Sequence, residues 1–148
     1  MKNYICKEGD NKFSPSLISP VPAMRRKKLE GAAMFHENCL YHQQYLPNGE
    51  KYDGQNKLIG LQFDLTTKHQ NDAILSWWCK DGLLQVGPYW HINASKGIWF
   101  REPFLTVEPY EKFFWGIYPS INQNRCFVSA WKEGGEKHQE RKEMKIGC

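Results

Sequence analysis

A chain of 148 residues with 41% hydrophobic and 14% aromatic residues can build one self-sufficient core but is too short for two ordinary domains. Its formal charge of +4 permits some affinity for anionic surfaces yet falls well short of the basic face of a dedicated nucleic-acid binder, so no nucleic-acid partner is expected. Six Trp and seven Tyr are more than a core of this size usually needs, which makes some of them candidates for a binding surface.

The opening MKNYICKEGDNKFSPSLISP holds no continuous apolar run that would serve as a signal peptide or membrane span. The expectation is therefore a cytoplasmic protein with no membrane span, reaching the exterior only by a route without a signal peptide. Residues 1–22 are polar and contain Pro15, Pro20 and Pro22, which suits an arm or an edge strand, and residues 23–148 form the single domain. Met24-Arg25-Arg26-Lys27-Lys28 reads either as a phosphate-binding or localisation patch or as a solvated turn before a strand. A single basic tetrad favours the turn.

Gly31 to Phe35 is a short strand or a turn of helix, and Leu40 to Leu46 another strand closed by Pro47-Asn48-Gly49. His36, Cys39 and His42 stand three residues apart, but zinc needs three or four converging donors and no fourth is nearby. No metal is expected. Five cysteines, Cys6, Cys39, Cys79, Cys126 and Cys148, form no CxxC pair and fit free thiols better than a disulfide framework.

Leu61, Phe63 and Leu65 alternate with Gln62, Asp64 and Thr66, and Ala73, Leu75 and Trp77 alternate with Ile74, Ser76 and Trp78. A polar stretch from Lys68 to Asp72 separates them, so the two segments read as antiparallel strands with one buried face each. Lys80-Asp81-Gly82 is a hairpin turn, followed by a strand from Leu83 to Val86 that Gly87-Pro88 ends. Tyr89 to Ile92 and Ile98 to Phe100 flank the polar Asn93 to Gly97, and Phe104 to Val107 is closed by Glu108-Pro109. Phe113 to Tyr118 is a strand, Pro119 to Arg125 a loop, and Cys126 to Trp131 a strand again. From Lys132 the charged run reads as a strand end, a short helix or a frayed tail. Many short strands separated by turn residues, without long helical periods, imply an all-β fold, an antiparallel sandwich or barrel.

Gln62 to Trp78, QFDLTTKHQNDAILSWW, followed by Pro103-Phe104, Tyr110-Glu111 and the strand Phe127-Val128-Ser129-Ala130-Trp131, resembles a galectin domain. The resemblance covers roughly the second and third quarters of the chain and Phe127 to Trp131. It implies a concanavalin-like or galectin-like jelly roll, an antiparallel β-sandwich that binds glycans or glycoproteins without a cofactor. Galectins read β-galactosides through His-x-Asn-x-Arg on one strand, an Asn on the next and Trp-x-x-Glu-x-Arg beyond. Here Ser76, Trp78 and Lys80 occupy the positions of His, Asn and Arg, so the signature has departed. Lys80 keeps a charge but lacks the planar fork that grips two oxygens, and Trp78 offers a stacking surface in place of amide hydrogen bonds.

Two tryptophans compete for the stacking position. Trp90 has the better distance from Pro103-Phe104, while Trp99 is followed closely by Arg101 and Glu102, and either one can equally be a packing residue. The carbohydrate-binding set expected from the resemblance is Trp99, Arg101, Glu102, Trp78, Lys80 and Ser76. No motif for nucleophilic or phosphoryl chemistry is present, and Glu102, Glu108 and Glu111 would serve glycoside hydrolysis only if two of them faced each other. The reading is a lectin module with weak or altered β-galactoside specificity and not an enzyme. The alternatives are a non-lectin interaction domain of the same fold, including a homodimer, or a polysaccharide-acting enzyme.

Overall fold

The computed structural model describes residues 28–40, 48, 56–63 and 71–146. The N-terminal arm 1–22, the basic cluster up to Lys27, most of the strand expected at Leu40 to Leu46, His42, and Asp64 to Gln70 lie outside the described residues. Among the described residues nine strands follow in chain order: β1 (Leu29–Ala33), β2 (Asn56–Gln62), β3 (Asp72–Lys80), β4 (Leu83–His91), β5 (Ile98–Trp99), β6 (Leu105–Val107), β7 (Phe113–Ser120), β8 (Arg125–Lys132) and β9 (His138–Glu143). They pair antiparallel into two sheets, one ordered β1-β7-β8-β9 and the other β2-β3-β4-β5 with β6 also on β4. The fold is the expected all-β sandwich.

Alternation decides which side chains fill it. On β3 the residues Ala73, Leu75, Trp77 and Cys79 turn inward, and on β7 so do Phe113, Trp115 and Ile117. Leu84, Val86 and Trp90 of β4 meet Cys126, Val128 and Ala130 of β8 in the same cluster. Each large apolar side chain buried there contributes about 1.5–3 kcal/mol. The β3–β4 hairpin is set by Asp81 and Gly82, whose φ values of 53° and 75° match the turn that right-twisted strands require.

Three sequence expectations change. Gly87-Pro88 does not end a strand: β4 runs through it to His91. Along that edge β6 pairs with Leu84 to Val86 and β5 with Tyr89 and Trp90, so Pro88 falls in the gap between two short neighbours, where a missing N–H costs nothing. Likewise β7 continues through Pro119 to Ser120, and Asn124 in the left-handed region (φ 45°) turns the chain into β8. The charged run beyond Lys132 contains β9, an edge strand whose alternating charges discourage pairing with another chain. Met144 and Ile146 after it are buried and anchor the end of the sheet.

Candidate functional site

The outward face of the five-stranded sheet carries Asp72, Ile74, Ser76, Trp78 and Lys80 from β3, because their neighbours face the core. Register places Gln85, Gly87, Tyr89 and His91 of β4 beside them, with Lys57 opposite Ser76 and Trp99 opposite Tyr89. All the sequence-derived candidates on β3 therefore share one face with Trp99.

That face is not an open trough. Phe100 lies over Gly87, where a Cβ would meet its ring at 2.5 Å, and Gly97 lies so close to the Tyr89 hydroxyl that only glycine fits. The chain after β4 folds back to do this: Asn93 and Ala94 at φ 51° and 58° turn it, and the Ser95 amide closes the turn on the Ile92 carbonyl. As a result Ile74, Ser76, Gly87, Tyr89 and His91 are buried on the outer side of the sheet as well.

Ser76 is sealed, and its hydroxyl donates to the Gly87 carbonyl at 3.0 Å. It is a packing residue beneath the surface rather than a ligand to it, because Phe100 covers its cross-strand neighbour. Trp78 is half-buried, donates its indole N–H to Gln85 at 2.7 Å, carries the Lys80 ammonium 5.1 Å above its ring and meets Phe100 edge-on. Arg101 and Glu102 are exposed directly after Phe100. Phe100 thus stands between the Trp78–Lys80 pair and Trp99.

The two competing tryptophans separate cleanly. Trp90 is 1% exposed and faces the core, donating its N–H to Glu140. Trp99 is 39% exposed and stacks on Tyr89, ring centroids 3.9 Å apart at 28°. Beneath it runs a buried polar chain: the Tyr89 hydroxyl is 3.0 Å from His91 Nε2, and His91 Nδ1 is 3.1 Å from an Asp72 carboxylate oxygen. An Nδ1–H of His91 can donate to the Asp72 carboxylate, while Nε2 lies within hydrogen-bonding distance of the Tyr89 hydroxyl. Burial, and secondarily the charge of Asp72, push the Tyr89 phenol above its ordinary range. Lys57 reaches over the Tyr89 ring at 5.3 Å.

Sequence reasoning missed Tyr89, His91, Asp72, Lys57 and Phe100. The alternation of Tyr89 and His91 around Trp90 was available as a signal once β4 was recognised as continuous. The first two members of the His36, Cys39 and His42 set lie at a short 3-10 turn, where the His36 ring accepts from the Asn38 amide at 3.2 Å. No cluster of three metal-ligating side chains occurs among the described residues. No helix there is long and apolar enough to cross a membrane. Glu108 and Glu111 are engaged with each other's loop, the Glu111 carboxylate accepting from the Glu108 amide at 2.8 Å and from Lys132 at 2.8 Å.

No family model, curated protein or solved structure matches the chain.

Proposed function

We propose that this protein is a carbohydrate-binding module that holds a glycan against the outer face of the five-stranded sheet, with Trp99 as its stacking platform. The observation that carries this reading is the supported exposure of Trp99. One face of the indole is backed by Tyr89, and Tyr89 is fixed in turn by His91 and Asp72. A ring held this way loses little entropy when the apolar face of a sugar settles on it. Arg101 and Glu102 lie next in the chain to take hydroxyls, and Lys57 stands over the Tyr89 ring that backs Trp99.

The specificity differs from that of galectins, to which the sequence bears a resemblance. Ser76 is spent on Gly87, and Trp78 and Lys80 are used on each other and on Gln85. A galactose read by an amide and a guanidinium on that strand has no counterpart here. The test is a glycan array with the wild type and Trp99→Ala. Binding by the wild type that drops about tenfold or more in the variant supports the assignment, since such stacking contributes on the order of 1–2 kcal/mol. Binding unchanged by the substitution removes Trp99 from the site.

A second reading rests on Ile98, 40% exposed beside Trp99, which makes the β5 edge an apolar patch suited to a protein partner or a second copy. Concentration-dependent association in sedimentation, with no glycan retained by the wild type, would select it.

A further inference from the structure

The outer face of the other sheet has a different character. Alternation on the two central strands turns Phe114 and Tyr118 of β7 and Phe127 and Trp131 of β8 outward, opposite the buried Phe113, Trp115, Cys126 and Val128. Phe114 pairs with Trp131 and Tyr118 with Phe127 across the strands, with the small pair Gly116 and Ser129 between them. All four rings are half-buried.

Each of these rings carries a cation. Lys112 lies 5.1 Å from the Phe114 centroid, Lys137 lies 4.6 Å from Trp131 and 4.5 Å from Tyr118, and Arg125 lies 5.8 Å from Phe127. Lys137 also donates to the Tyr118 hydroxyl at 3.0 Å. Among the described residues no carboxylate comes within ion-pair distance of these three, whereas Lys28 and Arg141 at the margins are answered by Glu30 and Glu143. The distinction matters energetically. A cation held by a carboxylate has its charge neutralised, while one seated on a ring is held in place and keeps its charge for a ligand.

We infer that this face is a second binding site, for an acidic polysaccharide, in which Lys112, Arg125 and Lys137 receive the sulfate or carboxylate groups of the chain. Three cations outside ion-pair distance of any described carboxylate, Lys112 just before β7, Arg125 on β8 and Lys137 just before β9, complement a linear polyanion, with Lys137 partly offset by the field of Glu30. Two features favour a glycan over a single-stranded nucleic acid. The ring faces that would stack bases are already capped by the protein's own cations, so the aromatic platform such proteins use is occupied. Glu30 also stands on the face opposite Gly116. The hydroxyl of Tyr118, and then the charges of Lys28 and, more weakly, Lys137, hold its carboxyl below the usual range. A polymer of closely spaced phosphates would be repelled by Glu30. One that alternates acid groups with hydroxyls would use it, together with the exposed Gln139 opposite Ser129 on the same sheet, as an acceptor or donor.

The experiment titrates the full chain with a heparin oligosaccharide, an oligogalacturonate, a neutral galactan oligosaccharide and oligothymidylate, by calorimetry at low and raised salt. The wild type is expected to bind one of the two acidic glycans, more weakly as salt rises, and to bind oligothymidylate more weakly at matched charge. Lys112→Gln/Arg125→Gln/Lys137→Gln is expected to lose roughly tenfold or more of that affinity. Trp99→Ala is expected to leave it unchanged, which separates this site from the one on the opposite sheet. Should the triple variant unfold, Lys137→Gln alone is expected to weaken binding measurably. Failure of the wild type to bind either acidic glycan overturns the proposal. So does affinity that survives loss of the cations, or oligothymidylate binding as tightly as the glycan.

Discussion

Trp90, in the middle of one sheet, donates its indole N–H to Glu140, on the edge strand of the other, at 2.8 Å. The bond spans fifty residues of sequence and closes one side of the sandwich with a polar contact. Glu140→Ala leaves the Trp90 ring untouched in the core and removes the acceptor of its N–H. Because the Glu140 side chain is 40% exposed, water replaces part of the loss, and destabilisation of about 1 kcal/mol is expected in urea unfolding. An unchanged midpoint would show that the contact contributes nothing.

Gly87 tests whether Phe100 really roofs the sheet. In Gly87→Ala the new methyl meets the Phe100 ring at 2.5 Å, and displacing that ring is expected to cost about 1–3 kcal/mol. Adding Phe100→Ala removes the obstacle, so the double variant should be more stable than the sum of the two single losses predicts. Strict additivity in denaturant titrations would place Phe100 elsewhere.

Alkaline stability depends on two buried acids. Burial pushes the Cys126 thiol from its ordinary 9.0 up to about 12 and raises the Tyr89 phenol above 10.0. Both groups are held protonated in the fold, so the stability they contribute is intact below the unfolded-state values. It is lost as pH climbs from about 9 toward 12 for Cys126, and above 10 for Tyr89. Thermal unfolding followed across that range should show a falling midpoint, and Cys126→Ser should flatten the lower part of the decline. A native-state thiol assay should leave Cys126 unreacted while the half-buried Cys79 reacts.

On the acid side, Lys132 and then the Glu108 amide hold the Glu111 carboxyl below 4.5. The charged form is the one the fold favours, so its contribution is present above the unfolded-state value and lost as pH falls through the lowered one. The pair is about one-third exposed on each side, and solvent screening limits it to at most about 1 kcal/mol. Glu111→Gln should remove that share of the acid dependence. A titration of the Glu111 side chain by NMR that gave an ordinary glutamate value would contradict it.

How far the sequence reached is clearest around β3 and β4. The period of two in Ala73 to Trp78 and the Asp81-Gly82 turn were legible because both are local: alternation assigns faces, and only certain residues adopt positive φ. The break read at Gly87-Pro88 was a local inference that tertiary context overrode, since Pro88 meets no partner strand where its nitrogen points. Ser76 belongs to the expected binding set because it stands where the galectin signature has His. The sequence holds no sign that Phe100, many residues away, would settle over its cross-strand neighbour.

The amino-acid order alone thus determined that the chain would be antiparallel β and which residues on each strand would face the same way. Whether an outward residue would meet water was beyond it, because burial on the second face depends on which distant segment folds back across the sheet. Trp90 and Trp99 looked equivalent as letters. The pairing of the two sheets sealed the first against Glu140, and the return of the chain onto Tyr89 left the second supported and exposed.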